Sequence, residues 1–227
     1  MSAAPLFPSV IPLFATPFGV VPLPEAAKLN AALAQQFRAR AAAEPRGASG
    51  GSTPRCYVSP DDLAEWGRND PAVTLLINEM LRGVVSVLSG VSELKAEQMA
   101  GLSVQVRGWY TIVRPDGNVP AAHYPQTAWC ALYCVAAPDP STTRADSGVL
   151  RLYESRLTTM FSDATNSPMR MPFTTGHASW RPIPGSLAVF PAALTHEIAL
   201  LRSAGELVLV TLRVRFVGAG QEGHASW

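Results

Sequence analysis

The last third of the chain limits the fold most. Pro184-Gly185 opens the apolar run Ser186-Leu187-Ala188-Val189-Phe190-Pro191, a turn follows over Ala192 to Thr195, and His196 begins the next segment. From Leu207 to Phe216 the residues then alternate. Short apolar runs bounded by Gly and Pro are the mark of strands, and the strand period of two sends neighbouring side chains to opposite faces. A buried strand, a short turn, a histidine opening the next strand and a closing strand together make a sheet-built pocket with an imidazole at its mouth. A small β-barrel presents a metal ligand in this way.

The period of two starts earlier, at Leu102. Leu102, Val104 and Val106 alternate with Ser103, Gln105 and Arg107, and Trp109 to Val113 continues extended up to the turn Arg114-Pro115-Asp116-Gly117. Further strands are expected at Ala128 to Val135, Val149 to Glu154, Ser186 to Phe190, Glu197 to Leu201 and Leu207 to Val217. Before Leu102 the pattern is helical. Glu25 to Ala43 repeats Leu29, Leu33 and Phe37 at intervals of four, and Pro71 to Ser89 gathers Val73, Leu76, Ile77, Met80, Leu81, Val84 and Leu88 on one side. Ser59-Pro60-Asp61-Asp62 predicts a helix start with Ser59 as cap. Pro45 to Pro54, rich in Gly, Ser and Pro, is expected as a loop. Helices first and many short strands after them give an α+β chain with a sandwich or barrel. The reading is a single domain over 1–227: a strand and supporting helices in 1–100, a β-barrel core in 101–217 and a tail in 218–227.

Composition removes several function classes. The formal net charge is +1 and only 15% of residues are charged, so there is no basic field to collect nucleic acid or an anionic membrane surface. A small-molecule or protein substrate is expected. Met1 to Leu23 is apolar but carries Pro5, Pro8, Pro12, Pro17 and Pro22, with no Lys or Arg before Lys28. That suits neither a secretory signal nor a membrane span; an edge strand around Ile11 to Ala15 is expected instead. Cys56, Cys130 and Cys134 match no metal or redox spacing, which points to reduced thiols and a cytoplasmic protein. Edge strands of small barrels lend themselves to pairing, so a homodimer is compatible with the sequence without being indicated by it. Phosphate loops, nucleophile elbows and paired-cysteine zinc motifs do not occur.

Several segments, in order, resemble one family. They are Ile11-Pro12-Leu13-Phe14-Ala15-Thr16-Pro17; Trp109 with Arg114-Pro115-Asp116-Gly117-Asn118; Gly148-Val149-Leu150-Arg151-Leu152-Tyr153-Glu154-Ser155-Arg156; and Pro184 through Phe190-Pro191 to His196. Together they resemble the 2-oxoglutarate and Fe(II) dependent oxygenases of the double-stranded β-helix fold. The resemblance implies a jelly-roll, cupin-like barrel with non-haem iron at one end, bound by two ligands from one strand and a distal histidine from a later one. It implies His196 as that distal ligand. Such iron needs three facial donors and open positions for co-substrate and dioxygen.

The chain departs from the family at the first ligand pair. The family pattern is two histidines separated by one residue and followed by proline; here the run is Ala121-Ala122-His123-Tyr124-Pro125. Anchoring on Pro125 and Tyr133 puts Ala122 and Tyr124 at the ligand positions and His123 between them. A one-residue offset turns a strand residue to the other face, although a bulge beside Pro125 would rotate His123 inward. A second departure is Leu207, which stands where the family has an arginine for the 2-oxoglutarate carboxylate. Arg213 and Arg215 share its face, but six residues of strand span about 20 Å.

The expected site follows from these residues. His123 and His196 are the candidate iron ligands, Tyr124 and His196 the candidate catalytic pair, and Arg156 and Arg213 the candidate carboxylate binders, with Arg202 a further one. Arg213, if it lines the barrel, needs an anion, and a substrate carboxylate would supply it. Tyr110, Tyr133 and Tyr153 are pocket phenols or core residues, His177 is a loop residue or a pocket neighbour, and Glu197 faces away from His196. The leading function is an Fe(II)- and 2-oxoglutarate-dependent oxygenase acting on a small molecule. The alternatives are a metal-independent isomerase, cyclase or lyase on the same barrel, and a non-catalytic binding protein.

Overall fold

The structure is a computed structural model and describes residues 15–45, 47, 53–140, 144–154 and 176–218. Its elements in chain order are β1 (Gly19–Pro22), α1 (Pro24–Ala27), α2 (Asn30–Ala43), β2 (Cys56–Val58), α3 (Leu63–Gly67), α4 (Pro71–Ser89), α5 (Ala96–Ala100), β3 (Ser103–Val113), β4 (Val119–Ala122), β5 (Trp129–Ala136), β6 (Leu150–Tyr153), β7 (His177–Trp180), β8 (Ser186–Pro191), β9 (His196–Ile198) and β10 (Leu207–Val217). The strands form two antiparallel sheets, one ordered β1-β8-β5-β10-β3-β2 and the other β4-β9-β6-β7. This is the expected double-stranded β-helix with helices ahead of it in the chain.

The alternation of β10 explains how the sheets and helices stack. Val208, Val210, Leu212 and Val214 turn to one face, where they share a buried cluster with Leu33, Phe37, Leu76, Met80, Tyr110, Tyr133 and Leu187. Leu207 and Leu209 turn to the other, where they join Val113, Cys130, Leu132, Cys134, Leu150, Leu152, Phe190 and Ile198. The first face is covered by helices and the second meets the smaller sheet. Burying both faces removes apolar surface from water at about 25 cal/mol per Å². The interior between the sheets is therefore a packed apolar core over most of its depth.

Helix α4 runs over the expected Pro71 to Ser89, and Asp70 caps it by accepting from the Ala72 and Val73 N–H groups at 2.9 and 3.1 Å. By length and composition α4 is apolar enough to cross a membrane, yet Val73, Leu76, Met80 and Val84 are fully buried in the core of this fold.

Two local expectations are corrected. The helix expected from Glu25 is two, broken by a tight turn in which the Leu29 N–H bonds the Ala26 carbonyl at 3.0 Å. Ser59 is not a cap. Its hydroxyl accepts the Tyr110 N–H at 3.0 Å and its own N–H bonds the Tyr110 carbonyl at 2.9 Å, so it extends the pairing of β2 with β3, and α3 starts later. Among the described residues β1 is an edge strand of the larger sheet, and the strand expected around Ile11 to Ala15 lies, but for Ala15, outside the described residues. Gly19 is what lets β1 lie so close to α4, since a Cβ there would stand 2.4 Å from Val87 Cγ2. The expected loop at Pro45 to Pro54 lies largely outside the described residues.

The turn at Arg114 to Gly117 is confirmed. Asp116 takes a positive φ of 60°, the Gly117 N–H bonds the Arg114 carbonyl at 2.8 Å, and a Cβ on Gly117 would sit 2.2 Å from the Arg55 carbonyl oxygen. This turn leads the chain from β3 across to β4, the strand that faces His196.

Candidate functional site at the barrel mouth

His196 opens β9 and is only 7% exposed. Its register partners are Ala122 on β4 and Leu152 on β6, and Leu152 belongs to the interior cluster. Directly paired residues share a face, so the imidazole points into the barrel. Two bonds set the approach to it. The Leu194 N–H closes a turn on the Pro191 carbonyl at 3.0 Å, and the Tyr124 N–H reaches the Ala192 carbonyl at 2.7 Å.

The ring is fixed as well as aimed. Nδ1 lies 2.9 Å from the Leu194 carbonyl oxygen, an acceptor only, so Nδ1 carries the proton and donates it. Nε2 is then left as an unprotonated base. Phe190 and Tyr124 meet the ring edge-to-face, with centroids 4.9 and 5.6 Å away. Burial holds the His196 pKa below its ordinary 6.5, the bond to Leu194 opposes this in part, and the charge of nearby His123 adds to the lowering. His196 is neutral at pH 7.

This shift gives a prediction. The unfolded chain takes up the His196 proton before the folded one does, so stability falls as pH drops below about 6.5. Chemical unfolding at several pH values is expected to show the His196→Gln variant losing less stability than the wild type between pH 6.5 and pH 5. Equal losses would contradict the burial of a neutral ring.

Tyr124 is the second group at the mouth. Its ring meets Trp109 edge-to-face at 5.6 Å, and the Arg213 guanidinium lies over both rings, 5.1 Å from Tyr124 and 5.4 Å from Trp109. Burial pushes the Tyr124 phenol up to about 12, with Cys130 adding to this and Arg213 opposing it. At neutral pH the phenol is protonated and is a hydrogen-bond donor.

Arg213 does line the barrel, and the protein supplies it with an anion: Nη2 bonds Asp61 Oδ2 at 2.9 Å. Arg107, the β3 register partner of Arg213, reaches the same oxygen at 3.6 Å. Asp61, read from the sequence as an acid at a helix start, is thus part of the mouth. No local pattern signals this pairing, because the two residues are 152 positions apart.

Other expected residues lie elsewhere. His123 is exposed and sits past the end of β4. The irregularity in pairing falls between Val119 and Ala122 rather than beside Pro125, so Ala122 faces His196 and His123 is not turned inward. Leu207 is 2% exposed within the interior apolar cluster. Arg156 lies outside the described residues. Arg202 is exposed in the turn after β9.

Tyr110 and Tyr133 are buried on the helix side of the larger sheet, where Tyr110 stacks on Phe37 with centroids 4.4 Å apart. Tyr153 lies on the outer face of the smaller sheet and donates to Glu197 at 2.7 Å, and His177 is an exposed strand residue beside it. Burial pushes the Cys130 and Cys134 thiols up to about 12, so neither is a thiolate nucleophile at neutral pH.

These positions test the fit of iron. Three side chains converge where a facial set of ligands would stand: an imidazole at 196, a phenol at 124 and a methyl group at 122. Among the described residues no group of three His, Cys, Asp or Glu side chains forms a metal site. A non-haem iron centre requires three facial donors, and this set does not fit it.

No family model and no curated protein matches the sequence. Solved structures share its fold. The prolyl-4-hydroxylase of Pseudomonas putida is 15% identical and aligns over 90% of this chain and 94% of its own, with a TM-score of 0.55. AviO1 from Streptomyces viridochromogenes Tue57 is 14% identical over 91% and 92%, at 0.58. HygX from Streptomyces hygroscopicus, solved with nickel and 2-oxoglutarate bound, is 12% identical over 91% and 84%, at 0.53. The fold is that of the 2-oxoglutarate and Fe(II) oxygenases.

Proposed function

We propose that this chain is a small-molecule enzyme that uses the oxygenase barrel for acid–base chemistry at His196 and Tyr124, without Fe(II) or 2-oxoglutarate. The observation that carries this reading is the pairing of Ala122 directly opposite His196. A methyl group stands where a metal site would need a donor, while the imidazole keeps a base nitrogen aimed into the barrel.

The roles follow from the protonation states. Neutral His196 accepts a proton at Nε2 from a carbon or hydroxyl of the substrate. The Tyr124 phenol donates a hydrogen bond to the substrate oxygen on which negative charge collects. The imidazolium then returns the proton to another atom of the same substrate, or a leaving group departs with the phenol's assistance. The Leu194 carbonyl stabilises the imidazolium through Nδ1, and Phe190 and Trp109 restrict water around the pair. General acid–base catalysis of this kind contributes about 10²- to 10⁴-fold each. Isomerisation, cyclisation and elimination are the reactions it serves, since none needs an external oxidant.

The test is a conversion assay by mass spectrometry, run without oxygen, with a chelator and without 2-oxoglutarate, on small-molecule extracts from the source organism. Products with the mass of the substrate, or with the mass of substrate less a small leaving group, are expected. Turnover that appears only with oxygen, Fe(II) and 2-oxoglutarate overturns the reading.

A further inference from the structure

The two longest strands run on past the barrel mouth. β3 and β10, of 11 residues each, stay paired from Leu207 opposite Val113 to Val217 opposite Ser103. β5 leaves β10 at Val214, and β2 reaches only Thr111 to Val113 of β3. Among the described residues the outer ends of β3 and β10 are thus a two-stranded ledge. The alternation that sends Leu212 and Val214 to the helix side sends Arg213 and Arg215 to the inner face, the side of His196.

Three arginines share that face. Arg107 and Arg213 are direct register partners, and Arg215 follows Arg213 by two residues, about 7 Å further out. Like charges set directly opposite one another across two strands destabilise the pair. Asp61 offsets part of this, since its Oδ2 takes Arg213 Nη2 at 2.9 Å and lies 3.6 Å from Arg107 Nη1. Arg215 is half-buried and pairs with no carboxylate among the described residues, and the position opposite it holds Gln105 rather than an acid. The chain as a whole carries a net charge of only +1, so this concentration of positive charge is local. A sequence that breaks a pairing rule in one place does so where function requires it, and what this face lacks is an anion.

We infer, resting on the acid–base reading above, that the substrate is an oxyanion, a carboxylate or a phosphate ester, whose charged group lies on this ledge against Arg215 while its reacting atom lies at His196 and Tyr124. Arg215 is the specificity-determining residue. Its planar guanidinium offers paired N–H donors to two oxygens of such a group. Asp61 holds Arg213 over the Tyr124 and Trp109 rings and so leaves Arg215 as the cation that meets the substrate. The same two rings stand between the ledge and the imidazole, where they suit an apolar body joining the charged end to the reacting end.

Two measurements on the full chain test this. In the first, the small-molecule extract is split on an anion-exchange resin, and both fractions are assayed for conversion without oxygen, Fe(II) or 2-oxoglutarate. Conversion is expected in the resin-bound fraction; phosphatase treatment of that fraction abolishes it for a phosphate ester and spares it for a carboxylate. With this fraction as substrate, Arg215→Gln is expected to raise KM about tenfold, as for loss of a hydrogen bond to a charged group, with kcat kept. Arg215→Lys raises KM less, and takes the place of Arg215→Gln if that variant fails to fold. His196-dependent conversion confined to the unbound fraction, or a KM that neither variant moves, overturns the inference and leaves the acid–base reading standing.

The second measurement needs no turnover. Melting temperatures are compared in inorganic phosphate, in acetate and in chloride at equal ionic strength. At least one of the two oxyanions is expected to raise the wild-type value above that in chloride, as a ligand of the folded state does, and to raise that of Arg215→Gln less. Equal responses in the two proteins overturn the inference. If neither fraction of the extract is converted, the acid–base reading fails, and the melting comparison still decides whether the ledge takes an anion.

Discussion

His196→Gln is expected to lower kcat/KM for the enzyme's substrate by about 10²- to 10⁴-fold, the range for loss of a positioned general base. Glutamine keeps a polar side chain at a site that is 7% exposed but cannot take a proton at neutral pH. The loss falls on kcat, because a base acts on the transition state more than on binding. Tyr124→Phe keeps the ring edge-to-face with Trp109 and under the Arg213 guanidinium and removes only the donor, so it too lowers kcat with little change in KM. The paired variant is expected to lose less than the product of the single losses, as residues acting in one step do. Steady-state kinetics of the three variants check this. Full activity in His196→Gln would remove the imidazole from the mechanism.

Phe190→Ala carries the largest expected effect on stability, about 3–5 kcal/mol, measured as a drop in the denaturant midpoint. The ring is fully buried, stands opposite Cys130 in the β5 pairing, and lies between Phe18, 6.4 Å away, and the His196 imidazole. Its removal leaves a cavity beside the base and frees that imidazole to tilt. Phe190→Leu refills much of the volume and is expected to recover most of the stability while restoring less of the activity. Equal recovery of both would show that Phe190 is a core residue with no part in holding His196.

Long regular patterns were legible in the sequence. Helix α4 and strand β10 appear where periodicity places them, because each buries a continuous stripe or face and a register error would expose it. The Phe190-Pro191 corner and His196 were legible because Leu187 to Phe190 of β8 form a continuous buried run that ends at proline. Ser59 was misread because a cap and a strand hydroxyl look alike in sequence, and only the Tyr110 partner decides between them. The Asp61–Arg213 pair was invisible because it is made by folding and not by spacing. The offset of His123 was legible, but whether a bulge rescues it depended on where the extra residue of β4 falls, and in the structure that is before Ala122 rather than beside Pro125.

The account rests most heavily on the state of one ring inside the barrel. Nitrogen NMR of wild-type protein with ¹⁵N-labelled histidine reads that state directly, first alone and then with one equivalent of Zn(II). The predicted result is a His196 signal pair with the proton on Nδ1, Nε2 unprotonated at pH 7, a titration midpoint below 6.5, and no change on adding the metal. A His196 that titrates as a free imidazole, or an Nε2 resonance that moves to a metal-bound position with Zn(II), would contradict it.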